Sequence, residues 1–114
     1  WRRGVTIDEL LKLHEDTCQS ARDIMRAKNR DYTAGSADPF ANFRASEALG
    51  VPGVVSILVR SLDKFQRIRS FVELGSLAVK DESVDDAIQD VVNYMILAQG
   101  MLRESKLTRN HPVA

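Results

Sequence analysis

Apolar and small residues recur along this chain at spacings of three and four, and a period of two is nowhere sustained, so the pattern predicts helices and no sheet. Ile7, Leu10, Leu11, His14, Cys18, Ala21, Ile24 and Met25 mark a first helix. It opens at the capping box Thr6-Ile7-Asp8-Glu9 and is expected to run to about Lys28. Residues 29–39 are rich in Gly, Ser, Asp, Asn and Pro, a long irregular segment of a kind that often carries function. A short helix over about 40–49 ends at Gly50. Pro52 suits the first turn of a third helix, whose apolar stripe is Val55, Leu58, Val59, Leu62, Phe65, Ile68 and Val72 and whose natural stop is Gly75. After a connector at 76–80, a last helix opens near Asp81 or Ser83 and runs to about Glu104 on the stripe Val84, Ala87, Ile88, Val91, Val92, Met95, Ala98 and Met101. The polar tail, 105–114, contains Pro112 and is expected to fray. Three long helices and one short one make an all-α bundle in a single domain spanning 1–114, a fold that oligomerisation would complete.

Composition narrows the partners. The chain has 114 residues, enough for one hydrophobic core. Its 16 basic and 16 acidic residues cancel, which argues against duplex nucleic acid or an anionic membrane as the main partner, since both call for a basic excess. No apolar run reaches the roughly 18–20 residues that span a bilayer. Trp1-Arg2-Arg3-Gly4 leads into acids rather than an apolar leader, so a cytoplasmic location is the expectation. Cys18 is the single cysteine; no internal disulfide can form, and its place in an apolar-periodic stretch predicts a buried, inert thiol. His14 and His111 are the only histidines and lack Cys or paired acidic companions, which speaks against zinc. There is no P-loop, no G-x-G-x-x-G and no G-x-S-x-G.

Three stretches hold chemistry that a plain bundle does not need. Arg60, Asp63, Lys64 and Arg67 fall at i, i+3, i+4 and i+7, a charged stripe beside the apolar one. It is either a solvated face laced by ion pairs or a phosphate site, where Arg forks and a Lys ammonium meet phosphate oxygens. In the last helix, Asp85 and Asp86 suit the positive end of the helix dipole, but Asp90 lies two turns in between Gln89 and a Val pair and gains little from it. Asp86, Asp90 and Asn93 share one face, the hard-oxygen supply that Mg²⁺ takes up, while Tyr94 is either a core residue or a stacking surface. In and just after the irregular segment, Asp31 and Tyr32 and then Asn42 and Phe43 set aromatic rings beside charged and amide groups, suited to a base or sugar as well as to turns and core capping.

Taken in order, Lys28-x-x-Asp31-Tyr32, Asp38-Pro39-Phe40-x-Asn42-Phe43, Arg60-x-x-Asp63-Lys64-x-x-Arg67 and Glu82-Ser83-x-x-Asp86-x-x-x-Asp90-x-x-Asn93-Tyr94 cover over half the chain. This series resembles a divergent phage and bacterial branch of the all-α nucleotide pyrophosphohydrolases, the MazG and dimeric dUTPase superfamily. The resemblance implies a homo-oligomer, dimer or tetramer, that cleaves a nucleoside triphosphate to monophosphate and pyrophosphate with Mg²⁺ held by acids on adjacent helices. On that reading Asp63, Asp86 and Asp90 are catalytic and hold the metal, with Glu82 as a further ligand. Lys28, Arg60, Lys64 and Arg67 meet phosphates, and Asp31, Tyr32, Asn42, Phe43, Asn93 and Tyr94 contact the rest of the nucleotide. The chain departs from the superfamily pattern at two places: Ala87 stands where a further acid is usual, and basic residues rather than an E-x-x-E pair surround Asp63. A nucleotide- or partner-binding helical oligomer without catalysis is the alternative.

Overall fold

Ile57 is the most completely enclosed large side chain described, and the helix that carries it organises the molecule. The computed structural model describes residues 4–32, 37–75 and 83–110, with side chains described for 4–29, 37–75 and 83–105. In chain order the elements are α1 (Ile7–Tyr32), α2 (Ala41–Arg44) continued by a 3₁₀ turn (Ala45–Leu49), α3 (Gly53–Leu74) and α4 (Val84–Asn110). No strand occurs among the described residues, so the fold is all-α. α3 and α4 form the most extensive helix contact and α1 leans on α4. Gly53 approaches Met101 while Lys64 reaches Asp90, so α3 and α4 run antiparallel.

The helix ends follow local chemistry. The Thr6 hydroxyl accepts the Glu9 N–H at 3.1 Å, as the capping box predicts. Ser83 and Asp86 form a reciprocal box at the start of α4, each backbone N–H donating to the other's side chain at 3.1 Å. Gly50 and Gly75 close their helices with φ of 79° and 75°, left-handed values that a side chain resists. Two ends differ from the sequence pattern. α1 continues a turn past Lys28 to Tyr32 and α4 continues past Glu104 to Asn110, because neither extension contains a Gly or Pro to stop it.

The core is a narrow seam. Phe43, Ile57, Ala98 and Met101 are its buried members, with Phe40, Val54, Tyr94 and Leu97 packed against them. It lies between the first half of α3 and the second half of α4, and α2 closes one end. The α3 stripe expected to be core is mostly uncovered: Val55, Leu58, Val59, Leu62, Phe65 and Val72 are all exposed, and the inward face is instead Gly53, Ile57 and Ser61. Ser61 is tolerated there because its hydroxyl donates to the Ile57 carbonyl at 2.9 Å. On α1, Ala21 is buried while Ile7, Leu10 and Leu11 are exposed. Cys18, expected to be buried, is half-buried on that incompletely covered face, its Sγ 3.9 Å from His14 Nδ1.

A charged clasp fixes α2. Arg44 donates to Asp38 at 2.6 Å and to Glu104 at 2.9 Å, tying the segment before α2 to the second half of α4. The Arg44 guanidinium, helped by the Phe40 N–H, holds the Asp38 carboxyl below its usual range. A carboxyl depressed on folding stabilises the fold above its unfolded pKa of about 3.9 and stops doing so as pH falls through the lower folded value. Asp38→Asn is therefore expected to melt below the parent chain at pH 6–7, and the difference is expected to vanish on acidification below roughly pH 3. Thermal melts of both proteins across that range check it; a gap that persists in acid would show that the carboxylate charge is not its cause.

Candidate functional site

Along one flank of the core, α1, α2, α3 and α4 enclose a cavity of about 700 Å³, within the range of small-molecule pockets. Arg22, Met25, Arg26, Lys28 and Asn29 of α1 form one wall, Arg60 of α3 another, and Asp90, Asn93, Tyr94 and Leu97 of α4 a third. Pro39, Asn42 and Phe43 close the end. The apolar part is continuous with the core, because Phe43, Tyr94 and Leu97 belong to both. The polar part is strongly unbalanced: among the described residues, four cationic side chains line the cavity against the single carboxylate of Asp90. That imbalance occurs in a chain of zero net charge.

Asp90 is held by cations from two helices. Its carboxylate lies 2.9 Å from Lys64 Nζ of α3 and 3.4 Å from Lys28 Nζ of α1. Both the carboxylate and Lys64 are largely withdrawn from solvent, at 17% and 16% side-chain exposure, so screening is weak and the pair aligns three helices. Arg60 extends over the Phe43 ring with its guanidinium carbon 4.8 Å from the centroid, a cation–π contact that leaves the guanidinium edge open at the cavity. Asn93 is buried, and its amide donates to the Ala21 carbonyl at 2.9 Å, fixing α4 against α1. Ser20 adds a second tie, donating to Gln89 Oε1 at 3.1 Å. Arg22, Arg26 and Asn42 make no side-chain hydrogen bond or ion pair among the described residues, so their donors face the cavity uncommitted.

Of the residues singled out from sequence, Lys28, Asn42, Phe43, Arg60, Asp90, Asn93 and Tyr94 come together around this cavity. Lys64 stands behind Asp90 as its closest cation. The others lie apart from it. Asp63 is exposed and pairs with Arg67 one turn on, at 3.2 Å, as a surface ion pair. Asp86 is exposed and caps α4 through Ser83. Asp31 and Tyr32 form the last turn of α1, but their side chains lie outside the described residues, as does Glu82 altogether. No three His, Cys, Asp or Glu side chains gather into a metal-holding group among the described residues. Among the described residues, Asp63, Asp86 and Asp90 are each committed to a different partner and do not converge on one point.

Arg22 and Arg26 were not evident as site residues, although Arg22, Arg26 and Asn29 sit at i, i+4 and i+7, the same signature as the α3 stripe. Applied to α1, that test would have found them. No single helix among the described residues is long and apolar enough to cross a membrane. Compared with protein-family models, with curated proteins and with solved structures, the chain matches none of them.

Proposed function

We propose that this chain binds a nucleotide in the cavity, its phosphates against the α1 and α3 cations and its base against the aromatic wall. The observation that carries this reading is the four-to-one excess of cations over carboxylates among the described residues around a pocket lined by Phe43 and Tyr94, in a chain that is neutral overall. Arg22 and Arg26 supply planar donor forks for phosphate oxygens, and Lys28 supplies a point charge. Asn42 offers an amide to read a base or sugar edge. The mainly apolar lining with a cationic edge suits a ligand with one charged end and one flat apolar end better than it suits inorganic phosphate alone.

A second reading follows from Asp90. It is the one acid lining the cavity among the described residues, and the superfamily resembled in the sequence would make it part of a Mg²⁺-dependent pyrophosphohydrolase. That chemistry needs further carboxylates beside Asp90.

Thermal shift with a panel of nucleoside mono-, di- and triphosphates, with and without Mg²⁺, tests binding, and pyrophosphate release tests hydrolysis. The expected result is stabilisation that grows with phosphate number and falls with salt. No shift with any nucleotide would overturn the proposal; pyrophosphate release with Mg²⁺ would select the second reading. Arg60→Ala is expected to weaken nucleotide binding about fivefold to tenfold, roughly 1 kcal/mol, by removing one charge-assisted contact. Titration calorimetry on the folded variant measures it.

A further inference from the structure

The cations of the cavity and its carboxylate differ in what they are free to do. Arg22 and Arg26 stand one turn apart on the cavity side of α1, exposed and without a side-chain hydrogen bond or ion pair among the described residues. Asp23, the nearest acid on that helix, accepts from Gln19 at 3.1 Å instead. Asp90 is the reverse case. Its Oδ2 lies 2.9 Å from Lys64 Nζ and its Oδ1 3.4 Å from Lys28 Nζ, so both carboxylate oxygens already face ammonium groups. A divalent ion drawn to Asp90 would have to displace an ammonium from a largely enclosed pair, and Mg²⁺ sheds its own water reluctantly. The cavity therefore offers its free donors to anions and keeps its carboxylate occupied. On a polyphosphate the target of those donors is contested, because Arg forks and Mg²⁺ both take the non-bridging phosphate oxygens. A metal-loaded polyphosphate arrives with those oxygens occupied and part of its charge cancelled.

We propose that the cavity takes its nucleotide as the metal-free polyanion, with Arg22 and Arg26 on the phosphate oxygens that Mg²⁺ would otherwise hold, so that Mg²⁺ opposes binding. The inference rests on the nucleotide reading and adds a regulation to it. Affinity grows with phosphate number only while the phosphates are free of metal, and Mg²⁺ flattens that order by withdrawing the polyphosphates first. A monophosphate cannot chelate the ion across two phosphates and is little affected. This is the opposite of the role that the superfamily resemblance gives Mg²⁺, and it follows from arginines on α1 that the resemblance does not include.

Titration calorimetry of the full chain tests it, with the tri- and monophosphates of adenosine, guanosine, cytidine and uridine as probes. Each is titrated in a chelator and again in excess Mg²⁺, with sodium chloride holding the ionic strength equal so that screening does not differ. Triphosphate affinity is expected to fall about tenfold or more in Mg²⁺, by mass action on the free ligand, and monophosphate affinity to change by less than about twofold. Arg22→Gln with Arg26→Gln keeps two good helix formers at exposed positions. That variant is expected to bind triphosphate about tenfold more weakly in the chelator and to lose most of the Mg²⁺ penalty. Triphosphate binding that is unchanged or tightened by Mg²⁺ would overturn this inference and leave the nucleotide reading standing. Equal weakening of mono- and triphosphates, or a full Mg²⁺ penalty in the variant, would overturn it as well. Absence of binding in both media would remove the nucleotide reading and this inference together.

Discussion

Replacing Ile57 by alanine is expected to remove about 2–5 kcal/mol of stability, the range for truncating a fully enclosed branched side chain. That is a large share of the roughly 5–15 kcal/mol that holds a domain of ordinary stability together. Ile57 has no exposed surface and stands at the centre of a seam with few other buried members, Phe43, Ala98 and Met101 beside it. Such a narrow core has little material with which to refill a cavity, so the loss is expected toward the upper part of the range. In a thermal melt it appears as a fall of roughly 10 °C or more. Leu49→Ala is the control: at 85% exposure this leucine is expected to change stability by no more than about 0.5 kcal/mol. Equal losses at the two positions would show that the seam between α3 and α4 is not where the fold is held.

The helices were legible because capping and stop signals are local. Thr6, Ser83, Gly50 and Gly75 act within one turn of their own position, and each acts as its residue type predicts. The inward face of α3 was not legible. Its apolar residues occupy more than half of the helix circumference, and periodicity alone cannot tell which part meets α4 and which part meets something outside the chain. The stripe from Val55 to Val72 is the more regular one, yet Ile57 and Ser61 are the residues enclosed. A small polar residue such as Ser61 fits the core because its hydroxyl bonds to its own helix, a compensation that a hydrophobicity pattern does not register. At the site, Asp90 and the α3 charged stripe each stood out in sequence, but their meeting through Lys64 depends on the register of two helices that sequence does not specify. Asp63 and Asp86 carry the right residue type for a metal, and their local partners, Arg67 and Ser83, hold them at the surface.

Asp90→Asn gives the sharpest reading of the cavity, because the two functional accounts predict different outcomes. If Asp90 serves to hold Lys28 in place, removing its charge while keeping its shape releases the Lys28 ammonium at the cavity wall. An arriving polyphosphate then no longer competes with the Asp90 carboxylate for it. Charge-assisted contacts of this kind are worth about 1.5–3 kcal/mol each, so nucleotide affinity is expected to rise about tenfold to a hundredfold. The gain is expected to shrink as salt is added, since it is electrostatic in origin. If Asp90 instead contributes to a catalytic metal site completed by groups beyond those gathered in one chain, the same change is expected to abolish pyrophosphate release and leave Mg²⁺ without effect on binding. Titration calorimetry at two salt concentrations, beside a pyrophosphate assay, separates these outcomes. An affinity that stays unchanged, with no catalysis in either protein, would remove Asp90 from both accounts and reduce the Lys28–Asp90–Lys64 cluster to a joint between α1, α3 and α4. In that event the three helices are expected to lose stability with the substitution, because the ion pairs that Asp90 makes with Lys28 and Lys64 would be lost.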